Sequence, residues 1–155
     1  MLKVILGYFR HILKRLRSFY HFGHFDSFVH GPIQVGHKNN IRVGVNCSIN
    51  RGVILQGHSG IDVGNNVVLS PNVMLLDAGL DFDVLRSTGQ RLHVGKPIAL
   101  GDGCWIGAAA IILPGVTLGR NVLVGAGSIV TRSFPDDSVI AGNPARALER
   151  GSRDD

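Results

Sequence analysis

Residues 100–130 read LGDGCWIGAAAIILPGVTLGRNVLVGAGSIV and repeat with a period of six residues. The repeat has an aliphatic position and, four residues later, a mostly small position. The aliphatic positions are Leu100, Ile106, Ile112, Leu118, Val124 and Val130, and the later positions are Cys104, Ala110, Val116, Val122, Ser128 and Phe134. A period of six fits neither a lone helix nor a plain alternating strand. It predicts a solenoid of short strands joined by tight corners, with the aliphatic side chain inward at each step.

The same spacing recurs in an earlier block of the chain. Its aliphatic positions are Val43, Ile49, Leu55 and Ile61 and, after a shift of two residues, Val63, Leu69 and Leu75. Between the two blocks lies a polar and charged stretch, DAGLDFDVLRSTGQRLHVGKP at 77–97, which we expect to be an irregular and functional loop. The predicted division is an N-terminal helix and connector (1–32), a solenoid that contains the inserted loop (33–135), and a turn, short helix over 145–150 and tail (136–155).

The composition fits one narrow solenoid domain. Of the 155 residues 45% are hydrophobic but only 6% are aromatic, as expected of an interior that takes aliphatic side chains and few rings. No apolar run reaches the length of a membrane span, and the basic N-terminal stretch argues against a signal peptide. Cys47 and Cys104 fall on small inward positions, so we expect buried free thiols and a cytoplasmic protein. The net charge of +5 favours an anionic ligand or surface.

Residues 2–20 are predicted to form an amphipathic helix. Large apolar residues recur at helical spacing, Phe9 and Leu16 among them, and basic residues such as Arg10 and Arg17 fill the other face. Two interpretations are open. The helix caps the open end of the solenoid or packs on a neighbouring subunit, or it lies on an anionic membrane surface. We favour the first.

Two other kinds of site find little support in the sequence. His21, His24 and His30 stand near one another, but nothing in their spacing makes several metal ligands converge, so we expect no metal. The basic helix has no interleaved aromatic platform on which bases would stack, and this argues against nucleic-acid binding.

A specific set of motifs lies in residues 95–148. The stretch contains WIG, LPGV, GAGS-V-T and AGNPA-R, and as a whole it resembles the hexapeptide-repeat acyltransferases. The likeness is greatest to small acetyltransferases that modify sugars of surface polysaccharides. It implies a left-handed parallel β-helix, a homotrimer, and acetyl-CoA or another short acyl-CoA bound between two subunits, with a sugar or sugar nucleotide as acceptor.

The resemblance also assigns residues to the CoA site. It implies that Trp105 borders the cleft and that Ala108 and Ala126 face the thioester end. The expected contacts with the rest of CoA are Thr131, Arg132 and Arg146, with Arg146 at the nucleotide phosphates. Guanidinium groups suit this role because they bind phosphate through charge-assisted hydrogen bonds.

One position departs from the family pattern. Relatives carry a catalytic His in a Thr-x-x-His setting, where it takes the proton from the acceptor hydroxyl. Here Asp77 stands in the Thr place and Leu80 in the His place, so the usual catalytic His is absent.

Three explanations of this departure are open. The acceptor is an amine, which needs less help from a base. Alternatively, another group is the base. The weak candidates are Asp77, Asp81 and His93, with Asp83 and His58 also nearby. In the third explanation catalysis is impaired, and the protein keeps a CoA-binding or scaffold role.

Overall fold

The computed structural model describes residues 2–24 and 26–149. The elements in chain order are α1 (Leu2–Phe22), β1 (Phe28–Val29), β2 (Gln34–Val35), a 3-10 turn (Lys38–Asn40), β3 (Ile41–Val43), β4 (Ser48–Ile49), β5 (Ile54–Leu55), β6 (Ile61–Val63), β7 (Val68–Leu69), β8 (Met74–Leu75), β9 (Ala78–Leu80), α2 (Phe82–Thr88), β10 (His93–Gly95), β11 (Ile98–Leu100), β12 (Trp105–Ile106), β13 (Ile111–Ile112), β14 (Thr117–Leu118), β15 (Leu123–Val124), β16 (Ile129–Val130), β17 (Val139–Gly142) and β18 (Ala145–Ala147).

Within residues 26–149 the coil strands stack into three parallel sheets that form the walls of a prism. Sheet A has the order β1-β4-β7-β12-β15-β17, sheet B the order β2-β5-β8-β13-β16, and sheet C the order β3-β6-β11-β14. The chain visits A, B and C in turn, so each coil adds one short strand to each wall. The predicted solenoid is therefore confirmed.

The inward positions of the repeat form one aliphatic core that runs along the axis. The aliphatic positions are buried except Val43, which is half-buried, and the positions four residues later in 100–134 are buried, Cys104 and Phe134 included. Early coils are twenty residues long, as the pairing of Ser48 with Val68 shows. The coil from Ile106 to Val124 has eighteen residues, and the last coil, from Val124 to Ile140, has sixteen. The two-residue shift in the sequence arises on β6, where Ile61 and Val63 both point inward because alternate strand residues share a face.

The solenoid is longer than the predicted 33–135, since it already includes β1 and continues through β17. The helix predicted over 145–150 is wrong in its described part, because residues 145–147 form β18 (residue 150 lies outside the described residues). β18 pairs antiparallel with β17, with Ala141 opposite Arg146. This pairing satisfies the last edge of sheet A, whereas a helix this short has little stability of its own.

The inserted segment 77–97 is ordered and not the irregular loop that we expected. β9 and β10 form an antiparallel hairpin, and α2 lies between them. The Asp81 side chain accepts a hydrogen bond of 3.0 Å from the Val84 N–H and so caps the start of α2. Gly89, with φ of 71°, ends the helix in the left-handed conformation that glycine adopts readily. Local capping therefore folds residues 77–97 into a compact projection from the solenoid, which we call the arm.

Helix α1 lies across the N-terminal end of the solenoid and contacts β1 and β3. Its buried contact is Ser18, and the His11 ring lies 5.2 Å from the Phe28 ring, centroid to centroid. The helix thus caps the first coil, as the favoured interpretation expects, but with its polar side. In the part of the chain that the structure describes, no helix is long and apolar enough to cross a bilayer.

Candidate active site

Three of the predicted residues meet in one groove. Trp105, Ala108 and Ala126 line a groove of about 330 Å³ on the edge where sheet A turns into sheet B, which we call the A–B edge. Trp105 is 54% exposed, and its Nε1 donates a hydrogen bond of 3.1 Å to Ser70 Oγ. The side chain is thereby held against the groove while about half of its surface stays exposed.

The corner backbone supplies polar groups to this otherwise apolar groove. The Gly127 N–H donates to the Ala108 carbonyl at 2.8 Å, but within residues 26–149 the N–H groups of Ala108 and Ala126 meet no acceptor. Gly107 lies directly beside the Ala126 N–H. A Cβ atom at position 107 would come within 2.6 Å of the Ala126 nitrogen, so only glycine leaves room there. A backbone N–H without an intramolecular acceptor can stabilise an oxyanion.

Arg146 lies on β18, two strands beyond the groove strand β15, towards the C-terminal end of the solenoid. Its strand partner Ala141 packs against Gly125, which lines the groove. The guanidinium Nη1 donates to the carbonyl of the preceding residue, Ala145, at 3.0 Å, and the residue is exposed. Arg146 is therefore an exposed cation on the same side of sheet A as the groove, and its contact with CoA phosphates stays a prediction.

Thr131 and Arg132 do not join this groove within the chain. They lie where sheet B turns into sheet C, the B–C edge, so the outer face of sheet B separates them from Ala126. Both are exposed, and the Arg132 guanidinium carbon sits 5.2 Å from the centroid of the Phe134 ring. The expected CoA contacts are thus divided between two edges of one chain.

The inserted arm is also on the B–C edge, and it pairs Leu80 with His93. The two residues are directly opposite each other in the β9–β10 hairpin. Directly opposed residues of an antiparallel pair project from the same face, with Cβ atoms about 4.5–5.5 Å apart. His93 therefore presents an imidazole on the hairpin face that carries Leu80, where the family pattern expects one.

His93 belongs to a row of imidazoles along the B–C edge. Its ring lies 5.9 Å from the ring of His58, which lies 5.8 Å from the ring of His37, centroid to centroid. The sequence reasoning missed His37. The signal was its separation of twenty-one residues from His58, one more than the length of an early coil.

The two aspartates proposed as bases have structural partners. Asp77 is fully buried, and its two carboxylate oxygens accept hydrogen bonds from the N–H groups of His58, Ser59 and Gly60 at 3.0, 2.6 and 2.7 Å. Asp81 caps α2. Asp77 thus holds the corner that carries His58, and we interpret it as a positioning residue.

The remaining titratable candidates are separate from the groove. Burial raises the pKa of the Cys47 and Cys104 thiols, which are free and buried as expected, so they stay protonated and unreactive. Burial, assisted by Lys38 and Lys14 respectively, lowers the pKa of His21 and His30. No cluster with the makings of a metal site occurs in the described part of the chain.

The arm and the groove lie at the same level along the solenoid. Strand β8 leads into the arm. The groove residue Ser70 directly follows β7, the strand before β8, and the groove residue Trp105 lies on β12, which pairs with β7. Sheet B, which separates them, has an apolar outer face. Its half-buried outward residues stack in register and are Ile54, Met74, Ile111 and Ile129.

Comparisons with known proteins agree with this architecture. A family model described as the hexapeptide repeat of succinyl-transferase matches residues 97–132. The chain is 36% identical to a galactoside O-acetyltransferase from Escherichia coli K12, over 79% of this chain and 60% of that protein. A crystal structure of a hexapeptide-repeat-containing acetyltransferase from Vibrio cholerae matches at 32% identity and a TM-score of 0.77, over 84% of this chain and 75% of that one. A structure of the same acetyltransferase complexed with acetyl-CoA matches at 29% identity and a TM-score of 0.74, over 84% and 72%.

The chain spans 60–64% of the length of three curated relatives that it matches. The match to the Vibrio cholerae structure covers most of both chains and confirms the left-handed parallel β-helix expected from the repeats. The chain therefore belongs to the hexapeptide-repeat acetyltransferase family.

Proposed function

We propose that this protein transfers an acetyl group from acetyl-CoA to a hydroxyl group of a sugar or sugar nucleotide, in surface-polysaccharide biosynthesis. The observation that carries the proposal is the groove on the A–B edge, where Trp105 borders an apolar channel and the Ala126 N–H meets no acceptor within residues 26–149. A thioester carbonyl gains negative charge when it is attacked, and a fixed N–H donor stabilises that charge. The family relationship, including a relative crystallised with acetyl-CoA, supports the same donor.

We infer that the active assembly is a homotrimer with three shared sites. One chain carries the groove and Arg146 on its A–B edge, and it carries His93, Thr131 and Arg132 on its B–C edge. Cyclic symmetry keeps equivalent parts of the subunits at equal height. With the apolar face of sheet B turned towards the symmetry axis, the arm of one subunit would meet the groove of the next.

We assign His93 as the general base. Its imidazole accepts the proton of the acceptor hydroxyl while the oxygen attacks the thioester carbonyl. The tetrahedral oxyanion is stabilised by the Ala126 N–H, the C–S bond then breaks, and the departing CoA sulfur takes the proton back from the imidazolium. His58 lies beside His93 and is held by Asp77, which gives His93 a fixed neighbour.

The reducing cytoplasm is the compartment that we propose. Cys47 and Cys104 are buried free thiols, as is usual where glutathione keeps thiols reduced. Acetyl-CoA as donor points to the same compartment.

The decisive experiment measures release of free CoA thiol and acetylated product against a panel of hydroxyl sugars, amino sugars and sugar nucleotides. Transfer to a hydroxyl sugar supports the proposal. Transfer to amino sugars alone would replace it with N-acetylation, in which Leu80 is tolerated because an amine needs no enzyme base. The impaired-catalysis alternative, which Leu80 favours, expects acetyl-CoA binding without transfer to any acceptor.

Arg146→Ala is expected to weaken acetyl-CoA binding by about 1–3 kcal/mol, the cost of a charge-assisted hydrogen bond to phosphate. Titration calorimetry at two salt concentrations measures the affinity for acetyl-CoA, and the difference between the variant and wild type should shrink as salt rises. Arg42→Ala is the matched control, since Arg42 is an exposed arginine on the outer face of sheet C. Equal affinities of the two variants would contradict the placement of the phosphates at Arg146.

Ile111→Glu is expected to raise the concentration at which the trimer dissociates by tenfold or more. The substitution puts a charge into the middle of the apolar face of sheet B in each subunit, and burying an unpaired charge is costly. Thr117→Glu makes the same charge on the exposed outer face of sheet C and should leave the assembly intact. Light scattering across a dilution series measures the molar mass, and so the concentration at which the trimer dissociates. A wild type that is monomeric at micromolar concentration would overturn the shared site.

A further inference from the structure

Helix α1 has a solenoid-facing side that is mostly polar and aromatic. Ser18 is buried against the first coil, and the Arg15 guanidinium carbon lies 5.6 Å from the centroid of the Phe28 ring. At the end of the helix Lys38 Nζ donates to the Tyr20 carbonyl at 2.7 Å. These contacts set the rotation of the helix about its axis, and with it the side that faces away from the solenoid.

The side that faces away is an apolar stripe. The largest exposures are 74% for Tyr20, 63% for Phe9 and 50% for Phe19. The members of this stripe are Phe9, Ile12, Leu13, Leu16, Phe19 and Tyr20, and all are exposed. Soluble proteins rarely leave a contiguous patch of large apolar side chains in water without a use for it.

Positive charge flanks the apolar stripe. Arg10 and Arg17 are exposed and lie seven residues apart, so they share one flank, and Arg15 is exposed on the other side. Residues 2–24 include no Asp or Glu. An apolar stripe flanked by uncompensated basic residues is the arrangement of helices that lie in the headgroup region of anionic bilayers.

We propose that α1 docks this protein onto an anionic lipid surface, with the apolar stripe inserted among the lipids and Arg10 and Arg17 at the phosphates. Charge complementarity selects lipid over a second copy of the same helix. Two copies packed stripe to stripe would bring their arginines together without an acidic partner from either helix. The helix lies at the N-terminal end of the solenoid, away from the groove, so docking leaves the groove accessible.

The test is flotation of the full chain with vesicles of phosphatidylcholine and phosphatidylglycerol in equal amounts, and with vesicles of phosphatidylcholine alone. Binding is expected to the mixed vesicles, to weaken as salt rises, and to be much weaker to phosphatidylcholine. Leu16→Ser should weaken binding about tenfold or more, because a large apolar side chain no longer enters the bilayer. Arg17→Glu should weaken it by roughly fivefold or more, since each basic residue near an anionic surface contributes about this factor.

Arg91→Glu in the loop between α2 and β10 is the matched control, because it makes the same change in net charge at an exposed residue outside the strands that α1 contacts. It should bind the mixed vesicles like wild type, and equal losses in Arg17→Glu and Arg91→Glu would overturn the proposal in favour of diffuse attraction by the net charge. Failure of the intact assembly to float with mixed vesicles, or equal flotation with phosphatidylcholine, would also overturn it. A Leu16→Ser variant that binds vesicles normally but changes the assembly in light scattering would reassign the stripe to a subunit contact.

Discussion

Replacing His93 by Gln is expected to lower kcat for transfer to a hydroxyl sugar by about 10²–10⁴-fold, the contribution of a positioned general base. His93 is exposed on the arm, so the substitution should leave folding and acetyl-CoA affinity unchanged. Steady-state kinetics together with titration calorimetry separate the two effects. His37→Gln is the control, because its ring reaches His93 only through His58.

A rescue experiment sharpens this test. Because Leu80 and His93 are directly opposed across the hairpin, Leu80→His in the His93→Gln variant returns an imidazole to the same face. Partial recovery of kcat is expected. An unchanged kcat in the single His93→Gln variant would remove His93 from the mechanism and leave the amine acceptor as the better explanation of Leu80.

Asp77→Ala is expected to lower the free energy of unfolding by about 1–3 kcal/mol, because the charged acceptor of three backbone hydrogen bonds is lost. The variant leaves the N–H groups of His58, Ser59 and Gly60 without their acceptor at a partly buried corner. Denaturant unfolding measures the change as a lower midpoint.

Asp83→Ala is the matched control for the loss of stability in Asp77→Ala. Asp83 is an exposed aspartate in the first turn of α2, and its removal should change stability by at most about 0.5 kcal/mol. An Asp77→Ala protein as stable as the Asp83→Ala control would contradict the structural role of the Asp77 carboxylate.

The period of six residues was enough to predict the solenoid. Every coil must present an aliphatic side chain to the narrow interior, so aliphatic residues such as Ile106 and Val124 recur in the sequence at that spacing. The groove residues Trp105, Ala108 and Ala126 were also named from the sequence, but through the likeness of their motifs to the hexapeptide-repeat acyltransferases and not through the period; the structure brings them into one groove. The helix α1 was found for a similar reason, since its amphipathic pattern is local.

Contacts between segments that the period does not relate were decided only by the tertiary structure. The pairing of His93 with Leu80 depends on the register of a hairpin that encloses α2, and the helix begins where Asp81 caps it. The strand at 145–147 forms because β17 offers an unpaired edge, which exists only once the coils have stacked.

The orientation of α1 has the same origin. An amphipathic pattern shows that a helix has two sides, but not which side meets the protein. The side that meets the protein is fixed by Ser18, which packs on the first coil, and by Lys38, whose ammonium group donates a hydrogen bond to the Tyr20 carbonyl. The sequence by itself therefore determined the solenoid and the helix, because each follows from a local or periodic pattern. The tertiary structure decided which imidazole lies opposite Leu80 and which face of α1 remains open, because both depend on how distant segments pack.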